Sequence, residues 1–188
     1  MESDPLTEKI TVGMAEVKIC RSENSILIAL GLGSCVGVCI YDPVLSLAGM
    51  AHVVLPNRTN LEEDDPRYAD IAVPQLVERL QKEGALRTRM RVALAGGGQI
   101  FKGFGTISKL DIGPRNVEAV QHQIARFGLP IVAADLGGNV GRTLLFYGDG
   151  RVYVRLPGQE ERLLAALGAS ETASPWKSIN PSSLAKAA

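Results

Sequence analysis

Residues 31–56 read GLGSCVGVCIYDPVLSLAGMAHVVLP, and this stretch has the pattern of a β-hairpin. Two apolar segments flank Asp42 and Pro43, residue types that favour turns. A hairpin centred between residues 43 and 44 pairs residue 42 with 45, 38 with 49, and 35 with 52. The pattern therefore predicts that Cys35 and His52 face each other, with Cβ atoms roughly 5 Å apart. A slip of one residue would turn one of them to the other face.

The rest of the chain alternates short apolar segments with two helical patterns. Beyond the hairpin, predicted strands span residues 10–19, with an irregularity near 15 and 16, and 26–32, 90–95, 107–112, 130–135, 143–147 and 151–156. Strand 26–32 is expected to be buried on both faces. One helix is predicted from about residue 72 or 73 to Gly84, so that Pro74 falls in its first turn, and another from Gly113 to Phe127. This order predicts an α+β domain, with β-sheets packed as a sandwich and helices on the outer faces.

Length and composition are those of one ordinary soluble domain. The 188 residues are 46% hydrophobic and 21% charged, and 20 basic residues balance 20 acidic ones. This balance argues against nucleic acid as a partner. No apolar segment approaches the length of a membrane span, and residues 1–10 lack the pattern of a signal peptide. The sequence therefore predicts a cytoplasmic protein without membrane insertion.

The chain divides into three parts. We assign residues 1–9 to a flexible arm and 10–157 to the domain. Residues 158–188 are assigned to a short helix near 160–167 and a flexible tail that holds Trp176.

The cysteines and glycines exclude two common kinds of site. An odd number of cysteines without an export signal favours free thiols, and neither a C-x-x-C pair nor another common zinc-site spacing occurs, so no metal is expected. The glycines at 96–98 precede KGFG but lack the sequences of phosphate loops, so no nucleotide cofactor is expected. Glycine there instead favours a tight turn or close packing of the backbone. His122 lies off the apolar stripe of its helix and is interpreted as an exposed residue.

Cys35 and His52 form the candidate catalytic pair. A thiol acts as a nucleophile when a base lies within hydrogen-bonding reach. Gly31 and Gly33 remove side chains beside the thiol, which allows a sharp bend or the close approach of a ligand. The alternative is a buried thiol and a structurally bonded histidine. The charged loop at 57–67 is interpreted as a solvated connector, with a mobile flap as the alternative.

Several separated motifs together resemble one family. LGLGSCVGVCIYDP at 30–43 and GMAHVVLP at 49–56 closely resemble the signature of the CheD family, the chemoreceptor glutamine deamidases of bacterial and archaeal chemotaxis. Further matches are YAD at 68–70, GGG-x-x-F at 96–101, IGPRN at 112–116 and DLGGNVGR at 135–142. The resemblance implies a domain related to toxin-type cysteine deamidases, in a cytoplasmic protein recruited to chemoreceptor arrays.

The resemblance also implies an activity and a site. Cys35 corresponds to the nucleophile and His52 to the base, with Ser34 and Gly33 as candidate supporting residues. The implied reaction converts receptor glutamine side chains to glutamate, and some members also act on methyl esters. The implied partners are methyl-accepting chemoreceptors and a CheC-type response-regulator phosphatase, and no cofactor is implied.

One position departs from the family pattern. The family usually has a threonine six residues before the cysteine, as the group that orients the histidine, and this chain has Ala29 there. Ser34, a backbone carbonyl or a water are the alternatives for that role, although Ser34 also fits a plain turn position. The departure raises a second hypothesis, a weakly active or silent adaptor that binds chemoreceptors and the phosphatase. A cysteine amidase acting on small molecules fits the pair but not the other motifs.

Overall fold

The computed structural model describes residues 7–99 and 112–169. The elements in chain order are β1 (Glu8–Thr11), β2 (Val17–Cys20), β3 (Ser25–Leu32), β4 (Val36–Asp42), β5 (Leu47–Val53), α1 (Ala69–Lys82), β6 (Arg91–Gly96), α2 (Ile112–Arg126), β7 (Ile131–Leu136), β8 (Arg142–Tyr147), β9 (Arg151–Arg155) and β10 (Arg162–Ala166). These elements form the α+β architecture that the sequence predicts.

The strands form two five-stranded mixed sheets. Sheet A has the order β1-β3-β8-β9-β10, and sheet B has the order β2-β5-β4-β6-β7. One pair in each sheet is parallel, β1 with β3 and β6 with β7. The two sheets pack face to face, and their inner faces share one apolar cluster that includes Leu27, Cys39, Met50, Leu144 and Phe146. The predicted sandwich of sheets is therefore confirmed.

Both described helices pack on the outer face of sheet B. A second apolar cluster joins them to that sheet, with Val38, Ala51 and Leu94 from the strands and Leu76 and Val120 from the helices. For the described residues, the prediction that helices cover the outer faces of the sandwich is therefore correct for sheet B only. The outer face of sheet A carries Leu30, whose exposed fraction is 58%. The expectation that strand 26–32 is buried on both faces is wrong at that position.

The hairpin of β4 and β5 has a longer turn than the sequence predicts. Residue 42 pairs with 47, 38 with 51, and 37 with 52. Asp42 anchors the turn, because its carboxylate accepts the Val44 N–H at 3.0 Å and forms an ion pair with Arg89 at 2.7 Å. The predicted pairing of 35 with 52 is therefore wrong. Because the shift is two residues, it preserves the face on which each side chain lies.

The first predicted strand is divided between the two sheets. Residues 10–19 were expected to form one strand with an irregularity near 15 and 16, but the chain leaves sheet A after β1 and enters sheet B at β2. The irregularity is a turn, in which Ala15 has a φ of 61°. β1 begins at Glu8, inside the segment predicted to be a flexible arm.

The helices confirm part of the prediction. α1 begins earlier than predicted, because the Tyr68 carbonyl accepts the Ile71 and Ala72 N–H groups and starts the helix there. Pro74 therefore lies inside the helix and not in its first turn. α2 has nearly the predicted bounds.

The predicted helix near 160–167 is wrong. This segment forms β10, which pairs antiparallel with β9 through a bulge between Leu163 and Ala165 and extends sheet A. The described fold therefore continues past Pro157. Most of the predicted strand at 107–112 and the tail with Trp176 lie outside the described residues.

Candidate active site

The hairpin of β4 and β5 brings Cys35 and His52 to the same face of sheet B. Gly37 lies opposite His52, and Cys35 precedes Gly37 by two residues. Since side chains alternate along a strand, both groups point toward sheet A. Diagonal neighbours of this kind lie about 7–8 Å apart at Cα, within reach of a long side chain. Cys35 is half-buried at the margin of the inner cluster, and His52 is buried.

Gly37, which lies opposite His52, leaves room for the side chains of the facing sheet. A Cβ atom at this position would lie only 2.4 Å from Cδ2 of Leu144, in the facing sheet. Such a contact requires the leucine or the strand to move. Glycine at 37 therefore allows sheet A to pack closely beside the histidine ring.

The His52 ring is held in one tautomer by the backbone. Nδ1 lies 3.2 Å from the Val12 carbonyl oxygen. A carbonyl only accepts hydrogen bonds, so Nδ1 carries the proton and Nε2 is the unprotonated nitrogen. Nε2 is buried and has no hydrogen-bond partner among the described residues. Burial lowers the pKa of His52, against the opposing effects of the Val12 carbonyl and Glu16. The ring is thus a neutral base with its lone pair on Nε2.

Burial determines the protonation state of the Cys35 thiol. Burial raises its pKa, and its own backbone N–H opposes that shift. The thiol is therefore protonated at neutral pH. Cys20 and Cys39 are buried, and burial raises the pKa of Cys20 to about 11 and that of Cys39 well above its ordinary value. Cys35 is the most accessible of the three thiols.

The glycines at 96–98 pack against the backbone around Cys35. The Gly97 N–H donates to the Cys35 carbonyl at 2.8 Å, and the Gly98 N–H donates to the Gly33 carbonyl at 2.7 Å. A Cβ atom on Gly96 would lie 2.1 Å from the Cys35 carbonyl oxygen, which no side chain permits. The close-packing interpretation of these glycines is confirmed.

Asn116 of α2 is a residue of the site that sequence reasoning missed. It is buried, and its Nδ2 donates to the carbonyls of Ser34 and Val54, both at 2.9 Å. One amide therefore links the residue before Cys35 to the chain just beyond His52. The signal for it in the sequence is the IGPRN motif at 112–116, which ends at this asparagine.

Replacing Asn116 with Ala is expected to lower the free energy of unfolding by about 2 to 4 kcal/mol, because two buried carbonyls lose their donor. The Cys35 loop loses its attachment to α2, so we also expect faster alkylation of the Cys35 thiol. Chemical denaturation and thiol alkylation kinetics measure the two effects. Gln123→Ala, a buried amide on the same helix, is the matched control and should leave the alkylation rate unchanged. Equal effects of both variants would contradict a specific role for Asn116.

The Val12 carbonyl contacts Nδ1 of His52, the ring nitrogen that an orienting group would hold. Ala29 is buried in β3, and its methyl group offers no hydrogen bond. Ser34 contributes its carbonyl to Asn116, and Gly33 contributes its carbonyl to Gly98. Of the three alternatives for the orienting group, the backbone carbonyl is the one that contacts Nδ1.

Arg142 supports the glycine loop from the far side. It is buried, forms an ion pair with Asp135 and donates to the Gly137 carbonyl. The Gly137 N–H in turn donates to the Gly96 carbonyl at 2.8 Å. This chain of contacts explains the arginine that ends the DLGGNVGR motif.

The charged loop at 57–67 is attached to the fold. The Arg58 guanidinium contacts the Asp70 carboxylate at 3.3 Å and donates to the Glu63 carbonyl. The Arg67 carbonyl accepts N–H groups from residues 54 and 55. These contacts favour the connector interpretation. His122 is exposed, as predicted.

Within 7–99 and 112–169, no helix has the length and apolar character needed to cross a membrane. The same residues contain no group of three or more potential metal ligands among His, Cys, Asp and Glu.

Comparison with known proteins identifies one family. The family model described as CheD chemotactic sensory transduction matches residues 54–156. The probable chemoreceptor glutamine deamidase CheD of Desulfitobacterium hafniense (strain DSM 10664 / DCB-2) is 39% identical over 161 residues, which are 85% of this chain and 100% of the relative. The protein of the same name from Archaeoglobus fulgidus is 43% identical over 148 residues, which are 78% of this chain and 92% of the relative.

Among solved structures, the hypothetical protein YfiH of Bacillus licheniformis matches with a TM-score of 0.42 and 15% identity. The match covers 65% of this chain and 49% of that protein.

Proposed function

Because the chain belongs to the CheD family, we propose that it is a chemoreceptor glutamine deamidase, in which Cys35 is the nucleophile and His52 the base. The observation that carries this proposal is the geometry of the pair. Both side chains lie on one face at the same end of β4 and β5, and the histidine ring presents an unprotonated Nε2. A protonated thiol and a neutral imidazole on the same face are the two groups that general-base catalysis requires. Nε2 forms no hydrogen bond with the thiol in the described structure, so the two groups must approach each other when the substrate binds.

The proposed reaction has two stages. His52 Nε2 takes the proton from Cys35 as the sulfur attacks the carboxamide carbon of a receptor glutamine. The tetrahedral intermediate then collapses, its C–N bond breaks, and the imidazolium returns the proton to the departing ammonia. A water, deprotonated by the same nitrogen, hydrolyses the thioester and releases glutamate and the free thiol. The sum is glutamine plus water to glutamate plus ammonium, the ammonia having taken up the proton that the new carboxyl group releases.

The developing oxyanion needs hydrogen-bond donors. Backbone N–H groups of the turn at 33–35 are the candidates, because the carbonyls of this turn are fixed by Gly98, Asn116 and Gly97. A preorganised backbone holds such donors in place without reorganisation during the reaction. We propose that this is why the glycine loop and α2 both attach to the turn.

The negative charge of the product connects the proposed reaction to receptor signalling. Each conversion adds one negative charge to a receptor, and added charges alter the repulsion between neighbouring helices. We propose chemoreceptors in their arrays as substrates, a CheC-type phosphatase as a further partner, and hydrolysis of receptor methyl esters as a second activity of the same thiol. The proposed relation to toxin-type cysteine deamidases rests on the same pair.

Incubation of the protein with a cytoplasmic receptor fragment from the same organism tests the activity. Peptide mass spectrometry should show conversion of specific glutamines to glutamate. Ala29→Thr is the comparison variant, and we expect it to change the rate little, because the Val12 carbonyl already holds the ring. No conversion by the wild type, with conversion gained in Ala29→Thr, would instead support the silent adaptor.

A further inference from the structure

One turn holds both the backbone and the ring of His52. This turn consists of residues 12–16. The Ala15 N–H donates to the His52 carbonyl at 3.1 Å, and the His52 N–H donates to the Glu16 carbonyl at 3.0 Å. In the third contact, Nδ1–H of the His52 ring donates to the Val12 carbonyl at 3.2 Å. The position of the ring therefore depends on the conformation of this turn.

The Glu16 side chain closes the turn. Its Oε2 accepts the Gly13 N–H at 2.7 Å, while the Glu16 N–H donates to the Gly13 carbonyl at 3.1 Å. Ala15 adopts a left-handed conformation with a φ of 61°, which is unfavourable for alanine. The contacts of Glu16 with Gly13 hold the turn in this conformation.

A single peptide group connects the carboxylate to the imidazole. The Val12 carbonyl, which contacts Nδ1, and the Gly13 N–H, which donates to Glu16, are the two ends of the same planar unit. Hydrogen bonds in such a chain polarise one another, so a carboxylate on the N–H strengthens the carbonyl as an acceptor. The hydrogen bonds therefore connect the His52 imidazole to the peptide group, and the peptide group to the Glu16 carboxylate.

We propose that Glu16 is a positioning residue for His52, acting through the peptide between residues 12 and 13. It orients the ring and stabilises the positive charge that the imidazole acquires when it takes the thiol proton. The role is the one that an orienting side chain at position 29 would otherwise fill. The inference rests on the proposed function of His52 as the base.

The surrounding charges are consistent with this role. The hydrogen bonds with Lys18 and Gly13 lower the pKa of Glu16, so the carboxylate is ionised at neutral pH. Lys18 of β2 lies 2.9 Å from this carboxylate and partly neutralises it. Cys35 and Cys39, on the same face of the hairpin, have pKa values raised by burial and are protonated thiols, and Ala29 of β3 carries only a methyl group. Of the described groups, Glu16 is the carboxylate whose charge acts on the imidazole.

Two substitutions with opposite expected signs test the proposal. Glu16→Gln keeps an acceptor for the Gly13 N–H but removes the charge, so the pKa of His52 should fall. Lys18→Gln removes the competing cation, so the pKa of His52 should rise. The carboxylate is partly exposed, and we expect a change of about 2- to 5-fold in the protonation equilibrium for each variant. NMR titration of the ring reports the pKa, with the exposed His122 as an internal reference.

Alkylation of Cys35 by iodoacetamide gives a second readout that needs no receptor. Because His52 draws the proton from the thiol, Glu16→Gln should slow alkylation at neutral pH by about 2- to 5-fold and Lys18→Gln should accelerate it. Glu23→Gln removes an exposed carboxylate near Ser46, at the hairpin turn, and should change neither readout. In the deamidation assay, Glu16→Gln should lower kcat and leave KM unchanged.

The outcomes separate this inference from the proposed function. Shifts of the same sign in Glu16→Gln and Lys18→Gln, or no shift in either, would overturn the role of Glu16 even if the wild type deamidates receptors. If the pKa of His52 shifts in opposite directions in the two variants but no receptor is deamidated, the role of Glu16 is supported and the proposed function is contradicted.

Discussion

Replacing Cys35 with Ala is expected to abolish glutamine deamidation, with a loss in kcat of at least about 10³-fold, because the variant lacks the sulfur that forms the covalent intermediate in the proposed mechanism. No neighbouring thiol can take its place. Cys39 is fully buried in the inner cluster, and Cys20 lies on the edge strand β2. Peptide mass spectrometry of a receptor fragment, after incubation with wild type or variant, measures the loss.

The fold of this variant should be retained. Cys35 is half-buried, so removal of its sulfur is expected to change the free energy of unfolding by less than about 1 kcal/mol. Cys39→Ala is the matched control, since it removes a buried thiol from the same strand pair and should cost about 1 kcal/mol but keep the activity. Deamidation that persists in Cys35→Ala would show that another group is the nucleophile.

The alternation of apolar residues was sufficient to predict the sandwich and the shared face of Cys35 and His52. It could not fix the register of the hairpin, because that depends on the length of the turn. Asp42 and Pro43 identify where the turn begins. The pairing with Arg89, which is distant in the sequence, helps to set where it ends.

Long-range backbone contacts explain the parts of the site that the sequence did not reveal. The Val12 carbonyl contacts a ring that is 40 residues away in the chain, and no side chain at position 12 signals this contact. Asn116 was visible as a polar residue among apolar ones on α2, yet its two carbonyl partners depend on the tertiary fold. A backbone acceptor leaves no trace in side-chain patterns, so the identity of residue 29 could not indicate that the ring has this contact.

Tertiary context also decided the conformation of β10. The segment at 162–166 contains Arg, Leu and Ala, which favour helices, and the sequence predicts a helix there. Its pairing with the free edge of β9 satisfies the backbone groups of that strand. The available sheet edge outweighed the intrinsic preference of these residues.

Replacing His52 with Gln is expected to lower kcat/KM at pH 7 by about 10²- to 10⁴-fold, the usual contribution of a general base. Burial holds the pKa of the Cys35 thiol above its ordinary value, so without the imidazole the thiol stays protonated. The variant should therefore regain activity as the pH rises toward the pKa of that thiol.

The wild type and His52→Gln should both gain activity as the pH rises, but the wild type should do so at a lower pH. Burial lowers the pKa of His52 from its ordinary value near 6.5, so the acid limb of kcat/KM should lie below pH 6.5. The free energy of unfolding should also depend on the protonation of His52. The unfolded chain binds the proton more tightly than the folded one, so the free energy of unfolding falls as the pH drops below about 6.5. The variant should lose both features, whereas the exposed His122→Gln should keep them. A wild-type acid limb that survives in His52→Gln would show that another group is the base.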